Sequence, residues 1–428
     1  MRLGGRLAAA IEILDDMERR HRPAADALKD WGLSHRFAGA GDRAAIGNIV
    51  YDALRRRCSA AFLMGADTPR ATAFGALLLE GGHEVEELDA TMADDRFAPP
   101  PLDMSERAAI AENARRDMPD AVRADVPDWC VSHIEAAFGE AWPAEAAALS
   151  QRPPLDLRVN RLKADRDRVL AELEHAGASP APIAPDGLRI PPIAGDGRHP
   201  NVQAEPAFHK GWFEVQDEGS QVAAVLCGAG PGSQVIDYCA GAGGKTLALA
   251  AMMEGRGQVF AHDADRHRLA PIFDRLKRSG AHNVQVVSRT EGLAQLDGRA
   301  DLVVIDAPCT GSGTWRRRPD AKWRLGERQL AARQVEQATI LDDAHRYVKV
   351  GGRLAYITCS IFRDENHAQI AAFLSRHAEF RTVDHGALLE SHLAGHADRF
   401  RVEDLGVLMT PHSTGTDGFF VAVMERAA

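Results

Sequence analysis

The sequence predicts an α/β protein whose C-terminal half holds a mainly parallel sheet and whose first third is all helix. Three observations carry this. From Gly211 onward, apolar strand-like runs alternate with helical periods, the order a doubly wound sheet requires. A glycine turn, Asp237-Tyr238-Cys239-Ala240-Gly241-Ala242-Gly243-Gly244-Lys245-Thr246, joins one such run to an Ala/Leu-rich helix. Near the N-terminus, by contrast, Leu7, Ile11 and Leu14 fall at i, i+4 and i+7, the stripe of an amphipathic helix.

At 428 residues the chain is long enough for two or three domains. Its 45% hydrophobic and 26% charged residues describe a globular protein with ample core material. The balance of 51 basic against 61 acidic residues argues against a protein coated for nucleic acid, yet it allows a local basic face. Six cysteines show neither framework spacing nor a Cys-x-x-Cys pair, so a reducing, cytoplasmic location and no metal are expected. Glu12, Asp15 and Asp16 interrupt the apolar core a signal peptide would need, and no run is apolar enough to span a membrane.

Residues 3–130 read as helices. Asp42 is the expected cap of one whose buried face is Ile46, Ile49, Val50, Ala53 and Leu54. That helix ends in Arg55-Arg56-Arg57, a cluster open to three readings: a solvated face, a partner of the helix dipole, or a contact for RNA phosphates. Pro99, Pro100 and Pro101 break the pattern, and more helix follows to about Leu149. Gln151-Arg152-Pro153-Pro154 marks a boundary. Beyond it, Leu155–Asn160 alternates like a strand, Arg166–His175 reads as a helix, and short strands with turns complete a small α/β module. Strands are then expected at Gln234–Tyr238, Gln258–Asp263, Val284–Ser288, Asp301–Asp306 and Arg353–Thr358, with helices over Arg266–Ser279 and Glu327–Val348. Val407–Met424 reads as a closing hairpin with its turn at Thr414–Gly418.

The Gly-Lys-Thr end of the glycine turn suggests a phosphate loop, but that motif needs a glycine where Cys239 stands, five residues before Gly244. What remains is a small-residue cradle after an acidic strand end, which resembles motif I of the S-adenosylmethionine-dependent methyltransferases. The bland reading is an ordinary strand-to-helix turn. Asp263 ends the next strand about twenty residues on, where doubly wound folds place a ribose-binding acid; Asp265 competes with it for that role or for a helix cap. Two further strands end in Asp306-Ala307-Pro308-Cys309 and Thr358-Cys359-Ser360. Open α/β sheets bind ligands at such carboxyl ends, so two cysteines and an aspartate there are candidates for chemistry. Either cysteine alone would more simply be a small core residue. Trp315-Arg316-Arg317-Arg318-Pro319-Asp320-Ala321-Lys322-Trp323 interleaves basic and aromatic residues, as a surface that grips phosphates and stacks bases would; the alternative is a solvated basic loop.

Together these segments resemble the RsmB/NSUN family of RNA (cytosine-5-)-methyltransferases. Gln216-Asp217-Glu218, Arg158-Val159-Asn160 and Asp417-Gly418-Phe419-Phe420 extend the likeness over about Leu155–Val423. Gly41-Asp42-Arg43 and Tyr51–Arg55 are similar to the NusB-like RNA-binding domain of the RsmB branch. The resemblance implies three parts: a helical NusB-like domain over 1–149, a small RRM-like α/β module over 150–210, and a Rossmann-like class I methyltransferase domain over 211–428. It implies S-adenosylmethionine as cofactor, held by Cys239, Ala240, Gly241, Ala242, Gly243, Gly244, Lys245, Asp263 and Asp306. Cys359 would be the nucleophile that adds to cytosine C6, and Asp306 would hold the N3/N4 edge of the base. Lys245 would assist base binding or lower the thiol pKa, and Cys309 would aid release. The implied substrate is RNA, small-subunit ribosomal RNA first and transfer RNA as the alternative. Neither DNA nor a membrane is an expected partner, and a monomer is expected. A DNA cytosine methyltransferase would instead make Cys309 the nucleophile, and an RNA-binding assembly factor could keep the fold without catalysis. The sequence departs from the family pattern twice. Gly241-Ala242 stands where Ala-Pro is usual, and Ser288-Arg289-Thr290-Glu291 lacks the aspartate that usually holds the adenine.

Overall fold

The computed structural model describes residues 1–195 and 197–427. They group into two compact units. The first contains Met1–Pro153, Pro192–His199 and Trp315–Gly326; the second contains Pro154–Pro191, Pro200–Thr314 and the chain from Glu327 onward.

The first unit is helical. Leu3–Arg20, Ala24–Ser34, Ala40–Arg55, Arg57–Met64 and Pro69–Leu79 surround a core in which Leu7, Ile13, Ile46 and Phe74 are fully buried. Each such side chain contributes about 1.5–3 kcal/mol by leaving water. Asp42 does not cap its helix: Gly39 holds the cap position, and Asp42 sits in the first turn. There it takes the N-terminal ammonium at 2.9 Å and the Arg6 guanidinium at 3.0 Å, two nearby cations that a cap reading overlooks.

Both basic clusters for which RNA contact is one reading are largely spent inside this unit. Arg55 is buried and donates to the Arg316 carbonyl and to Asp52, Arg56 pairs with Glu80, and Arg57 pairs with Asp67 and Glu18. In the basic-aromatic segment, Trp315, Arg316 and Lys322 are buried, and Pro319–Arg324 forms a short helix. Lys322 Nζ donates to the Asp125 carbonyl at 2.6 Å and to Ser150 Oγ at 3.2 Å, while Trp323 Nε1 donates to the Leu54 carbonyl at 2.7 Å. Lys322 and Trp323 satisfy carbonyls of neighbouring helices instead of presenting a stacking face. Arg318 and Arg324 remain exposed.

The second unit carries two sheets. In the smaller, β1 (Leu155–Val159), β2 (Ser179–Pro180), β3 (Gly187–Ile190) and β4 (Phe213–Val215) pair antiparallel in the order β2-β3-β1-β4. The larger holds β5 (Gln234–Asp237), β6 (Gln258–His262), β7 (Val284–Val287), β8 (Ala300–Asp306), β9 (Val348–Thr358), β10 (Phe380–Thr382), β11 (Arg401–Glu403), β12 (Gly406–Met409) and β13 (Phe419–Arg426). Its order is β11-β12-β13-β9-β8-β5-β6-β7, with β10 on β13. The five strands β9-β8-β5-β6-β7 are parallel, and the tail strands close the edge antiparallel. This is the Rossmann-like sheet expected, and the order reverses between β5 and β8, where such sheets bind ligands.

Some boundaries move for local reasons. The expected helix 266–279 splits into Arg266–Leu269 and Ile272–Ser279 around Pro271, which has no N–H to donate. Glu327 begins a helix that stops at Ala344, because a 3₁₀ turn at His345–Tyr347 leads into β9. The small sheet has its own core, with Leu157, Val159, Leu188 and Phe213, while Ile183 and Ala184 of the loop between β2 and β3 join the core of the larger sheet beside Val222, Leu247, Val304 and Ile357. Buried polar contacts tie them further: Glu218 accepts from the Ile183 and Ala184 amides, and Asn160 Nδ2 donates to the Ser279 carbonyl at 2.9 Å.

Candidate active site

At the end of β5 the chain turns sharply and enters the helix Gly244–Met252. The turn is fixed by Gly243 N–H to the Ala240 carbonyl (2.8 Å), Ala240 N–H to the His262 carbonyl (2.8 Å) and Gly241 N–H to Asp263 Oδ2 (2.9 Å). Gly243 caps the helix at φ +84°, and a Cβ there would lie 2.5 Å from Ile272 Cγ1. Only glycine meets both conditions. The first-turn amides of this helix have no intrahelical acceptor, so a polar ligand can take them.

Asp237 is fully buried beneath the turn. Thr246 donates to its Oδ2 at 2.6 Å, Oδ1 has no protein partner, and burial pushes its pKa up to about 7. Asp263 is also buried, with one oxygen on Gly241 N–H and the other on Asp265 N–H at 2.8 Å. Asp265 takes the helix cap, accepting from His267 and Arg268, so the two acids have separate posts. Burial pushes the Cys239 thiol well above its ordinary range and keeps it neutral. In the loop after β7, which lacks the usual aspartate, Thr290 Oγ1 lies 3.3 Å from His262 Nε2, and His262 Nδ1 donates to the Val287 carbonyl at 2.8 Å.

Lys245, on the first helical turn, reaches across to β8. Its Nζ is 2.9 Å from Asp306 Oδ2 and 3.1 Å from Ser220 Oγ, and the ammonium stands 5.1 Å from the centre of the Phe419 ring. Burial pulls the lysine pKa down, but the Asp306 carboxylate outweighs it and the net shift is upward. The ammonium is therefore kept at neutral pH. Asp306 is 36% exposed at its side chain, which leaves one face of the carboxylate available to a ligand.

The two cysteines meet. Cys309 Sγ and Cys359 Sγ lie 3.4 Å apart at the ends of the adjacent strands β8 and β9. The hydrogen bond to Cys359, with burial behind it, holds the Cys309 thiol well above its ordinary pKa. The loops around them are tied down. Gly313 N–H donates to the Cys359 carbonyl at 2.9 Å and Gly418 N–H to the Gly313 carbonyl at 2.8 Å, an approach so close that a Cβ on Gly313 would lie 2.2 Å from Gly418 O. Asn366 Nδ2 donates to the Ser360 carbonyl at 2.8 Å.

Three supporting residues escaped sequence reasoning. Glu365, fully buried, accepts from Thr310 N–H at 2.8 Å and from Gln337 Nε2 at 3.0 Å, and Gln337 also holds the Pro308 carbonyl at 2.9 Å. These contacts fix the Cys309 loop. Ser220 accepts from both Lys245 and Gln216, and Gln216 accepts from Arg158 of β1 at 2.6 Å, linking the small sheet to the crevice. Glu365 and Ser220 meet Thr310, Gln337 and Lys245 across 25–55 residues of chain, so no local pattern reveals them. All four catalytic candidates, Lys245, Asp306, Cys309 and Cys359, thus line the ends of β5, β8 and β9 beside the glycine turn.

Comparison with known proteins follows the same geometry. Residues 225–425 match the family described as 16S rRNA methyltransferase RsmB/F, and residues 126–192 match the ferredoxin-like domain of RsmF/B-like methyltransferases. Ribosomal RNA small subunit methyltransferase B of Erwinia tasmaniensis is 34% identical over 305 residues, and that of Escherichia coli is 35% identical over 306. Each alignment covers 70% of this chain and spans 66% of the relative's length. Among solved structures, PH0851 superposes with a TM-score of 0.73 at 26% identity and covers 99% of both chains. A methyltransferase homologue from Pyrococcus horikoshii gives 0.57 at 26%, covering 72% of this chain and 98% of its own. NSun6 from the same organism, solved with SFG, shares the fold: TM-score 0.60 at 21% identity, covering 71% of this chain and 99% of its own.

Proposed function

The chain belongs to the RsmB/F methyltransferase family, and on that premise we propose that it methylates C5 of a cytosine in RNA. Small-subunit ribosomal RNA is the substrate that its relatives' names favour. RNA contact by the helical residues 1–149 belongs to the same reading.

The cofactor is S-adenosylmethionine, and the turn after β5 suits it. Gly241 and Gly243 turn the backbone at positive φ so that the first-turn helix amides stay without an intrahelical acceptor, and the unpartnered Asp237 Oδ1 is buried beneath the turn. The backbone from Cys239 to Gly244 would hold the cofactor, with Lys245, Asp263 and Asp306 at its rim. When bound, S-adenosylmethionine supplies an electrophilic methyl group; all else falls to the side chains.

Cytosine C5 is a weak nucleophile. Addition of the Cys359 thiolate at C6 would make C5 enamine-like and able to attack. By the family resemblance, the Lys245 ammonium, fixed by Asp306 and Ser220, would assist base binding. Asp306, held by Lys245, would accept from the N4 amino group and fix the base edge. Cys309, kept as a neutral thiol 3.4 Å from Cys359, is placed to serve when the C5 proton leaves and the C6–S bond breaks. The target base must leave its stack to reach such a crevice, which favours a loop or an opened helix.

The meeting of the two sulfurs beside the Lys245–Asp306 pair carries this reading. Its test is transfer of labelled methyl groups to total RNA by wild type, Cys359→Ala and Cys309→Ala. The expected result is loss of transfer with Cys359→Ala and a trapped protein–RNA adduct with Cys309→Ala. The reverse pattern would make Cys309 the nucleophile and undo the RNA-type assignment. No transfer by any of the three to either ribosomal or transfer RNA would leave an RNA-binding assembly factor as the better account.

A further inference from the structure

A second cluster of chemistry-bearing groups lies in the same unit, away from the glycine turn. His345 follows the helix Glu327–Ala344, His377 caps the helix His367–Arg376, and Glu379 directly precedes β10. One ring nitrogen of each histidine and a Glu379 carboxylate oxygen lie within 4.8 Å of one another. The protein spends none of these atoms on the cytosine chemistry.

The hydrogen bonds fix which nitrogens are free. His345 Nδ1 is 2.8 Å from the Asp342 carbonyl, which can only accept, so Nδ1 carries the proton and Nε2 keeps its lone pair. His377 Nε2 is 2.9 Å from Asp342 Oδ1, so in the neutral ring Nε2 donates and Nδ1 keeps the lone pair. That Nδ1 stands 3.6 Å from Glu379 Oε1. With that ring neutral, Nδ1 and the carboxylate face each other as acceptors, and a metal ion can sit between them. Two ligands about 2.1 Å from a tetrahedral zinc ion stand about 3.4 Å apart, close to this gap. Asp342, itself held by Arg376 at 2.9 Å, supports both rings, one through its carbonyl and one through its carboxylate. That is the outer-shell arrangement that orients metal-ligating histidines. Phe373 stacks on His377 with centroids 4.5 Å apart, and Phe380 stands edge-on to His345 at 6.1 Å, so the rings have little freedom.

We propose that one ring nitrogen each of His345 and His377, together with the Glu379 carboxylate, binds one divalent transition-metal ion of the zinc class, with water as the fourth ligand. Cysteine spacing argues only against thiolate zinc sites; this donor set is imidazole and carboxylate. The ion would pin the ends of two helices to the start of β10. One of those helices carries Gln337, which holds the Cys309 loop, so the site would stiffen the crevice from behind.

The test is titration of the full chain with Co²⁺ and Zn²⁺ at pH 7.5, in wild type and in Cys309→Ser/Cys359→Ser, which removes the competing thiolates. One equivalent of Co²⁺ should bind in both, with the visible absorption of a tetrahedral site, and Zn²⁺ should displace it and raise the melting temperature. His345→Ala or His377→Ala should weaken binding at least about 100-fold, and Asp342→Asn about 10-fold through the lost support of His377. Circular dichroism of each variant checks that it is folded. Absence of stoichiometric binding in wild type would overturn the proposal. Binding that survives His377→Ala in a folded variant, or that vanishes in the double cysteine variant, would overturn it as well.

Discussion

Lys245 in the crevice and Lys322 in the helical unit are both almost wholly buried, yet their surroundings drive them in opposite directions. Lys245 touches a carboxylate, Asp306, and its pKa rises despite burial. Lys322 touches two carbonyls and a hydroxyl, and burial, only partly offset by the Asp125 charge, brings it down to about 8. Depth alone therefore does not decide the charge of a buried lysine; contact with a counter-charge does. The first lysine is kept charged beside groups that react. The second is a satisfied strut whose charge the fold tolerates at a cost.

That contrast predicts where substitution hurts function and where it hurts stability. Lys245→Met removes the cation that orients Asp306. Methyl transfer should fall by about 10³-fold, the range seen when a preorganised electrostatic group is lost. Asp306 remains over a third exposed at its side chain, so no buried charge is stranded and the melting temperature should change little. A fall in melting temperature with transfer intact per folded molecule would make Lys245 a strut like Lys322, and the comparison would collapse.

Lys322→Met should do the opposite, leaving the chemistry of the second unit alone and showing itself in stability against pH. In the unfolded chain the lysine titrates near 10.5, in the folded chain near 8. Between these values the unfolded state binds more protons, so this residue makes wild-type stability rise with pH across that window. Below pH 8 the full penalty of the buried ammonium is present; above 10.5 it is gone. Relative to Lys322→Met, wild type should gain up to about 3 kcal/mol across the window, from the size of the displacement. Chemical denaturation of both proteins at pH 7.5 and pH 10 checks this. A difference that does not grow with pH would mean that Lys322 enters the fold already neutral or fully paired.

The two regions also differ in how much of them could be read from residues alone. The crevice was legible because its parts are local: a strand end, a glycine turn and a helix start fit within Asp237–Thr246. Strand ends bearing Asp306 and Thr358-Cys359 are recognisable one at a time, and sheet topology brings them together. Glu365, Gln337 and Ser220 were not legible, since each acts on a partner many residues away and a lone polar residue in a helix or loop has no signature. The helical unit misled more. Trp315–Trp323 has the same alternation of basic and aromatic residues whether it faces solvent or caps carbonyls of neighbouring helices. Only the burial of Trp315, Arg316 and Lys322 separates these readings. The four short strands β2, β4, β10 and β11 have two or three residues each, too few to express a period of two.

Arg57 gives the smallest effect and the finest test of the contrast. It belongs to the triplet whose sequence is compatible with RNA contact, and it lies 26% exposed between Asp67 at 3.1 Å and Glu18 at 3.0 Å, with its guanidinium 5.5 Å from the Trp323 ring centre. Two partly exposed ion pairs and one ring interaction together are worth no more than about 1 kcal/mol, because water screens the pairs and ordering the side chain opposes them. Arg57→Ala should therefore lower stability by less than about 1 kcal/mol. Paired as it is with two carboxylates, Arg57 has little charge to offer phosphates, so the salt dependence of RNA binding should keep its slope. Removing a residue that neutralises one phosphate would flatten that slope by about 0.7–0.9. A measurable flattening with Arg57→Ala would show that RNA displaces Asp67 and Glu18, making the triplet a binding surface in the complex and only a set of internal pairs without it.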